Sequence, residues 1–130
     1  MKRFLEWIGI KGKIHDNEIL PVFEEREMWW ASLGENVGHE EDGKGNTFER
    51  LFIVIRKFNK ELLFGVPCSS VNKNNKYYFS VHIESKNLNT SALLSQARVI
   101  SSRRLLRRID KIGSGTFRKM KKALQQALFE

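Results

Sequence analysis

Cysteine is almost absent from this chain. The single Cys68 has no internal partner for a disulfide, which fits a reducing compartment and gives a cytoplasmic expectation. Long apolar runs are missing too. The longest, Leu51 to Ile55, is far too short to cross a bilayer, and the start, Met1 to Trp7, lacks the apolar core of a signal peptide. No membrane role is expected. His15, His39 and His82 stand far apart, with no cysteine cluster beside them. The acidic run Glu40-Glu41-Asp42 lacks the spacing of a calcium loop. Neither pattern suits a metal, so none is expected. Gly34, Gly38, Gly43 and Gly45 match neither a P-loop nor a dinucleotide fingerprint, and no cofactor is expected. No internal repeat, low-complexity tract or second domain is evident.

What remains is ordinary in amount and uneven in layout. At 130 residues, 41% hydrophobic and 29% charged, the chain fits one domain with a real core. Its formal charge of +8 is concentrated near the C-terminal end. Between Arg98 and Lys122 ten basic residues face only Asp110, a local +9, while the other 13 basic and 14 acidic residues leave −1. A local excess of this kind suits a polyanion or an acidic protein partner. A solvated helix surface is the plainer reading.

Periodicity divides the chain into short elements. Residues 4–15 read as a short helix with Phe4, Leu5, Trp7 and Ile8 near one side. Met28 to Leu33 reads as a first strand. The glycine-bearing polar segment 34–49 is a long loop, and such loops are usually functional or disordered. Two β-rich runs follow, 50–55 and 62–66, then a strand over 77–83. Residues 85–89 read as a loop. Ser91 to Gln96 suits either a strand or a helical turn, and Val99-Ile100 is a short strand. Ser101 or Ser102 can cap a helix through Ile109. A last helix, capped by Ser114-Gly115-Thr116, has Phe117, Met120, Leu124 and Leu128 on one face. Many short strands followed by helices predict an α+β fold, a small curled β-barrel with terminal helices.

The most informative pair is Arg50 and Ser69. The runs around the break Lys57 to Lys60 read as a hairpin. With Asn59-Lys60 as its two-residue turn, Arg50 stands opposite Ser69, on the same face of the sheet. A guanidinium and one or two hydroxyls, with Ser70 following, would meet at the open end of the hairpin. That is a kit for gripping a phosphate. His39, in the long loop beside Glu40, titrates near neutral pH and could move a proton at such a site. An exposed loop histidine is the alternative. Cys68 reads as a small strand residue rather than a nucleophile.

Several motifs, in order, resemble the MazF/PemK toxins, endoribonucleases of bacterial toxin–antitoxin systems. Arg26-Glu27-Met28-Trp29-Trp30 resembles that family's opening Gly-Glu-Ile-Trp strand. Gly38-His39-Glu40 resembles its Gly-x-Glu loop. Arg50-Leu51-Phe52-Ile53-Val54-Ile55 resembles its Arg-Pro-x-x-Val-Ile strand, and Pro67-Cys68-Ser69-Ser70 its Pro-(Leu/Ile)-Thr-Ser element. Ser91 through Gln96-Ala97-Arg98-Val99-Ile100 resembles its Ser-x-x-x-x-x-Gln-x-Arg-x-Ile segment. No single motif is specific, but their order and spacing together are.

The resemblance implies an SH3-like barrel, usually a homodimer, that cuts single-stranded RNA without a metal. In that family the ribose 2′-hydroxyl attacks the adjacent phosphate. The family arginine and threonine fall on Arg50 and Ser69, and a histidine used by some members falls on His39. These three are the expected catalytic residues. Glu40, Ser70, Gln96 and Arg98 are the expected RNA contacts. An acidic antitoxin is the expected protein partner. Residues 1–25 would be an N-terminal extension and 26–130 the barrel domain with its C-terminal helices. Leu51 departs from the family proline, Cys68 from a larger aliphatic residue, and Ser69 from threonine. Ser95 stands where some members carry an aspartate, so that role is not transferred. Two other readings remain: a non-catalytic RNA- or DNA-binding barrel, with basic helices on phosphates and aromatics for stacking, and a peptide-binding interaction module.

Overall fold

The β-rich runs form strands that all pair antiparallel. A computed structural model describes residues 19–34 and 49–130. The expected helix over 4–15 and nearly all of the 34–49 loop lie outside the described residues. The strands are β1 (Glu27–Ser32), β2 (Glu49–Lys57), β3 (Leu62–Ser69), β4 (Tyr78–Ile83), β5 (Leu88–Leu93), β6 (Arg98–Ser101) and β7 (Leu105–Lys111), followed by the helix α1 (Ser114–Phe129). Their spatial order is β4-β5-β3-β2-β1-β7, with β6 also on β3.

β3 is the pivot of the sheet. Its first half, Leu62 to Gly65, pairs with β6. Its last two residues, Cys68 and Ser69, pair with β5. Pro67, which has no N–H to donate, falls in the gap between these two ladders. The switch of partner curls the sheet and turns the end of β3 toward β5.

Both faces of the curled sheet are covered. On one, Phe117, Met120, Leu124 and Ala127 of α1 pack with Met28, Ile53, Val66 and Leu94. On the other, Phe23, Trp29, Phe52, Val54, Leu63 and Leu105 make a second cluster. β2 supplies both, because its odd and even residues face opposite ways. This is the α+β, curled-barrel architecture that the strand pattern predicts.

The details differ from the sequence reading in four places. The β2–β3 turn is longer than two residues: Phe58 N–H donates to Leu62 O at 3.1 Å, and the Asn59 side chain accepts from Glu61 N–H at 2.8 Å and Leu62 N–H at 3.0 Å. Asn59 thus builds a turn within its own segment. A bulge between Val54 and Arg56 absorbs the extra residue, so Phe52 still faces Pro67 and Ile53 faces Val66. The alignment expected from Asn59-Lys60 therefore survives a different turn.

Second, the expected helix over 101–109 is absent. Ser101 Oγ does accept from Arg103 N–H, but only a 3-10 turn, Ser102–Arg104, follows. The chain then runs as β7 along the open edge of β1, from Leu105 beside Ala31 to Lys111 beside Glu27. Satisfying that edge outweighs local helix propensity. One C-terminal helix, not two, is therefore present. Third, α1 starts after Gly113 with no side-chain cap. Its buried stripe ends on Ala127, and Leu128 is 41% exposed. Fourth, 85–89 is not all loop: a 3-10 turn, Glu84–Lys86, leads into β5 from Leu88, and both readings of 91–96 occur in turn, strand to Leu93 and then a 3-10 turn, Leu94–Gln96.

A Cβ on Gly65 would collide with the Ile53 carbonyl oxygen and the Phe52 ring. Gly65→Ala should cost about 1–3 kcal/mol, read as a lower urea midpoint; an unchanged midpoint would refute the close approach. Glu27 ties β1 to β7. Burial pushes its carboxyl pKa up, but hydrogen bonds from Glu24 N–H, the Trp29 indole and Arg108 outweigh that and leave it lowered. A lowered folded-state pKa adds stability above the ordinary carboxylate range, lost as pH falls through the folded value. Glu27→Gln should therefore be less stable than wild type at neutral pH, with the gap closing in acid. A gap independent of pH would contradict this.

Candidate active site

The open end of the β2–β3 hairpin carries the first expected pair. Arg50 is the second residue of β2, beside Ala31 of β1. Ser69 ends β3, beside Ser91 of β5. Both are buried. Arg50 Nη2 donates to the Cys68 carbonyl at 2.8 Å, which fixes the guanidinium across the hairpin mouth. Ser69 Oγ accepts from Val71 N–H at 3.1 Å, and Thr90 Oγ1 donates to the Ser69 carbonyl at 3.0 Å. Strand pairing and these bonds hold both side chains in place before any ligand arrives.

The pair lies on one cavity of about 320 Å³. Arg50, Ser69 and Ser70 line it together with Trp30, Leu51, Leu88, Asn89 and Thr90. Glu49 lines it too, and its carboxylate receives a two-pronged hydrogen bond from Arg107, at 3.0 and 2.9 Å. This fork raises the Arg107 pKa. The arrangement can accept an anionic group beside Arg50 and Ser69 and an apolar one against Trp30, Leu51 and Leu88.

Cys68 is no nucleophile here. Burial pushes its thiol up to about 12, although the Arg50 charge pulls the other way, so almost no thiolate exists near neutrality. The reading of Cys68 as a strand residue agrees with this.

The other expected residues are spread out. Ser70 is exposed on the cavity edge. Gln96 ends a 3-10 turn and is half-buried. Arg98 is exposed at the start of β6, paired with Gly65, about 13 Å along β3 from Ser69 at roughly 3.3 Å per residue. Neither Gln96 nor Arg98 lines the cavity. Burial and the nearby Arg98 charge lower the pKa of Arg104, whose Nη1 donates to the Ser32 carbonyl at 3.1 Å. His39 and Glu40 lie outside the described residues. Among the described residues no three His, Cys, Asp or Glu side chains group as metal ligands, and no helix is long and apolar enough to cross a membrane.

Sequence reasoning did not assign Trp30, Glu49, Leu88, Thr90 and Arg107 to this site. Alternation along β1 could have separated Trp29 from Trp30 by face. Leu88 and Thr90 carry no local signal; only the pairing of β5 with the end of β3 brings them in.

Residues 24–128 match the family model described as PemK-like, MazF-like toxin of type II toxin-antitoxin system. Among solved structures, MazF from Deinococcus radiodurans superposes with TM-score 0.66 at 15% identity, over 87% of this chain and 100% of that one. An endoribonuclease in complex with its cognate antitoxin, from a mycobacterial species, gives 0.64 at 10%, over 82% and 95%. A MazE-MazF structure from Deinococcus radiodurans gives 0.61 at 12%, over 86% and 98%. No curated protein matches significantly in sequence. With its ordered motifs, its curled sheet and a match over most of its length, this chain belongs to the PemK-like, MazF-like family of type II toxin–antitoxin toxins.

Proposed function

We propose that this chain is an endoribonuclease toxin that cuts single-stranded RNA at particular sequences, without a metal, and is neutralised by an acidic antitoxin. The observation that carries the reading is Arg50 and Ser69 on one cavity edge, held by the Cys68 and Thr90 contacts. The endoribonuclease names of its structural neighbours, one of them bound to an antitoxin, support it.

The chemistry follows from what these groups can do. The RNA 2′-hydroxyl attacks the adjacent phosphorus. The P–O2′ bond forms and the P–O5′ bond breaks, leaving a 2′,3′-cyclic phosphate and a 5′-hydroxyl. The phosphorane gathers negative charge on its non-bridging oxygens. A planar guanidinium aimed by its bond to the Cys68 carbonyl donates to that charge without reorganising. The Ser69 hydroxyl donates beside it. His39 takes the 2′-hydroxyl proton, and a proton is returned to the departing 5′-oxygen. Glu40, Ser70, Gln96 and Arg98 contact the RNA, and a homodimer would extend the binding surface.

The antitoxin reading rests on charge. Arg118, Lys119, Lys121 and Lys122 are exposed on α1, while Arg107 and Arg108 are engaged by Glu49 and Glu27. The helix therefore carries the excess that an acidic, partly disordered segment would neutralise.

The decisive experiment is single-stranded RNA incubated with purified protein in EDTA. Wild type should cut it to the termini named above, and Arg50→Ala should be slower by about two to three orders of magnitude. Equal cleavage by the two proteins would refute the role of Arg50. Salt-sensitive binding with no cleavage by wild type would favour a non-catalytic barrel instead.

A further inference from the structure

Two adjacent indoles on β1 have opposite surroundings. Trp29 is buried in the second core cluster, its Nε1–H donating to Glu27 at 3.0 Å. Trp30 points the other way. It is half-buried and forms a wall of the cavity whose edge carries Arg50 and Ser69. The core needs Trp29; it does not account for Trp30.

Trp30 is also held in an unusual manner. Its cross-strand neighbour on β7 is Arg107, whose guanidinium lies 5.4 Å from the centre of the indole. That guanidinium is in turn clamped by both carboxylate oxygens of Glu49, on β2. The ion pair spans β1 from β2 to β7 and straps the indole in position. Its other cross-strand neighbour, Leu51, is also a cavity wall. A flat, oriented, electron-rich ring next to a phosphate-binding edge suits one class of ligand: a nucleobase attached to that phosphate. A cation on one side of an indole is compatible with a planar partner on the other. The cavity is at the small end of ordinary ligand pockets, suited to a single ring system.

We propose that Trp30 stacks a base of single-stranded RNA flanking the scissile phosphate, and that Arg107 and Glu49 are positioning residues for its ring. The inference rests on the ribonuclease reading and adds to it where the substrate's base is gripped. Stacking is tolerant of base identity because every base has a π-face, so Trp30 supplies affinity and register along the strand.

The test is a cycle between protein and RNA. The proteins are the full chain and its Trp30→Leu and Trp30→Phe variants, each compared by circular dichroism and thermal melting. The substrates are a cleaved single-stranded oligoribonucleotide and a series in which one base at a time is removed. Trp30→Leu should raise KM by about ten- to one-hundred-fold, with kcat changed far less. Trp30→Phe, which still stacks, should stay close to wild type. At one position next to the cut, base removal should cost wild type a similar factor and cost Trp30→Leu nothing more. Arg107→Gln should weaken the same coupling and no other.

Wild-type cleavage with no such position, or equal KM for the Leu variant and wild type, would overturn the stacking while leaving the ribonuclease reading intact. A Leu variant that changes the sedimenting mass and shows no coupling would make the cavity an interface between copies, and would also overturn it. If wild type neither binds nor cuts RNA, both readings fall together.

Discussion

The register between β2 and β3 is the constraint on which the rest depends. Arg50 and Ser69 are 19 positions apart in the sequence and meet only if the two strands align to the residue. A slip of one would turn Ser69 to the opposite face. Three features hold the alignment. Asn59 closes the turn through its own side chain. The bulge before Arg56 removes the extra residue. Gly65 lets the strands approach where any Cβ would strike Ile53 and Phe52. None of the three touches the site, yet all decide what is in it.

That register also arranges the site's surroundings. Because β3 changes partner around Pro67, its last residues lie against β5 rather than β6. Thr90 thereby reaches the Ser69 carbonyl. Because β1 lies between β2 and β7, Glu49 and Arg107 can join across it. The Arg50–Ser69 pair and the Trp30 wall are consequences of one antiparallel sheet.

The outline of the fold was legible because β-branched and aromatic runs mark strands wherever they fall. The Arg50–Ser69 alignment was legible for a less secure reason: a two-residue turn and a three-residue turn with a bulge give the same pairing at the far end. The stretch 101–109 misled because its local signals are real. Ser101 does cap a turn, and Arg-Arg-Leu-Leu favours a helix. What overrides them is distant in sequence: the open edge of β1, and Glu27 and Glu49 waiting for Arg108 and Arg107. The walls made by Leu88 and Thr90 were illegible for the same reason, since tertiary pairing alone assigns them. Arg103 to Arg108 belong to the basic stretch 98–122; in a 3-10 turn and a strand, Arg104 is engaged by the Ser32 carbonyl and Arg107 and Arg108 by Glu49 and Glu27, leaving α1 as the clearer cationic surface.

On the proposed reading, Arg50 and Ser69 assist attack by the RNA's own 2′-hydroxyl. The most direct measurement is cleavage of an oligoribonucleotide whose cut-site nucleotide carries a single 2′-deoxy substitution, with the unmodified strand alongside. The unmodified strand should be cut, and the substituted strand should survive at that position while still competing for binding. Cleavage of both strands at equal rates would contradict it.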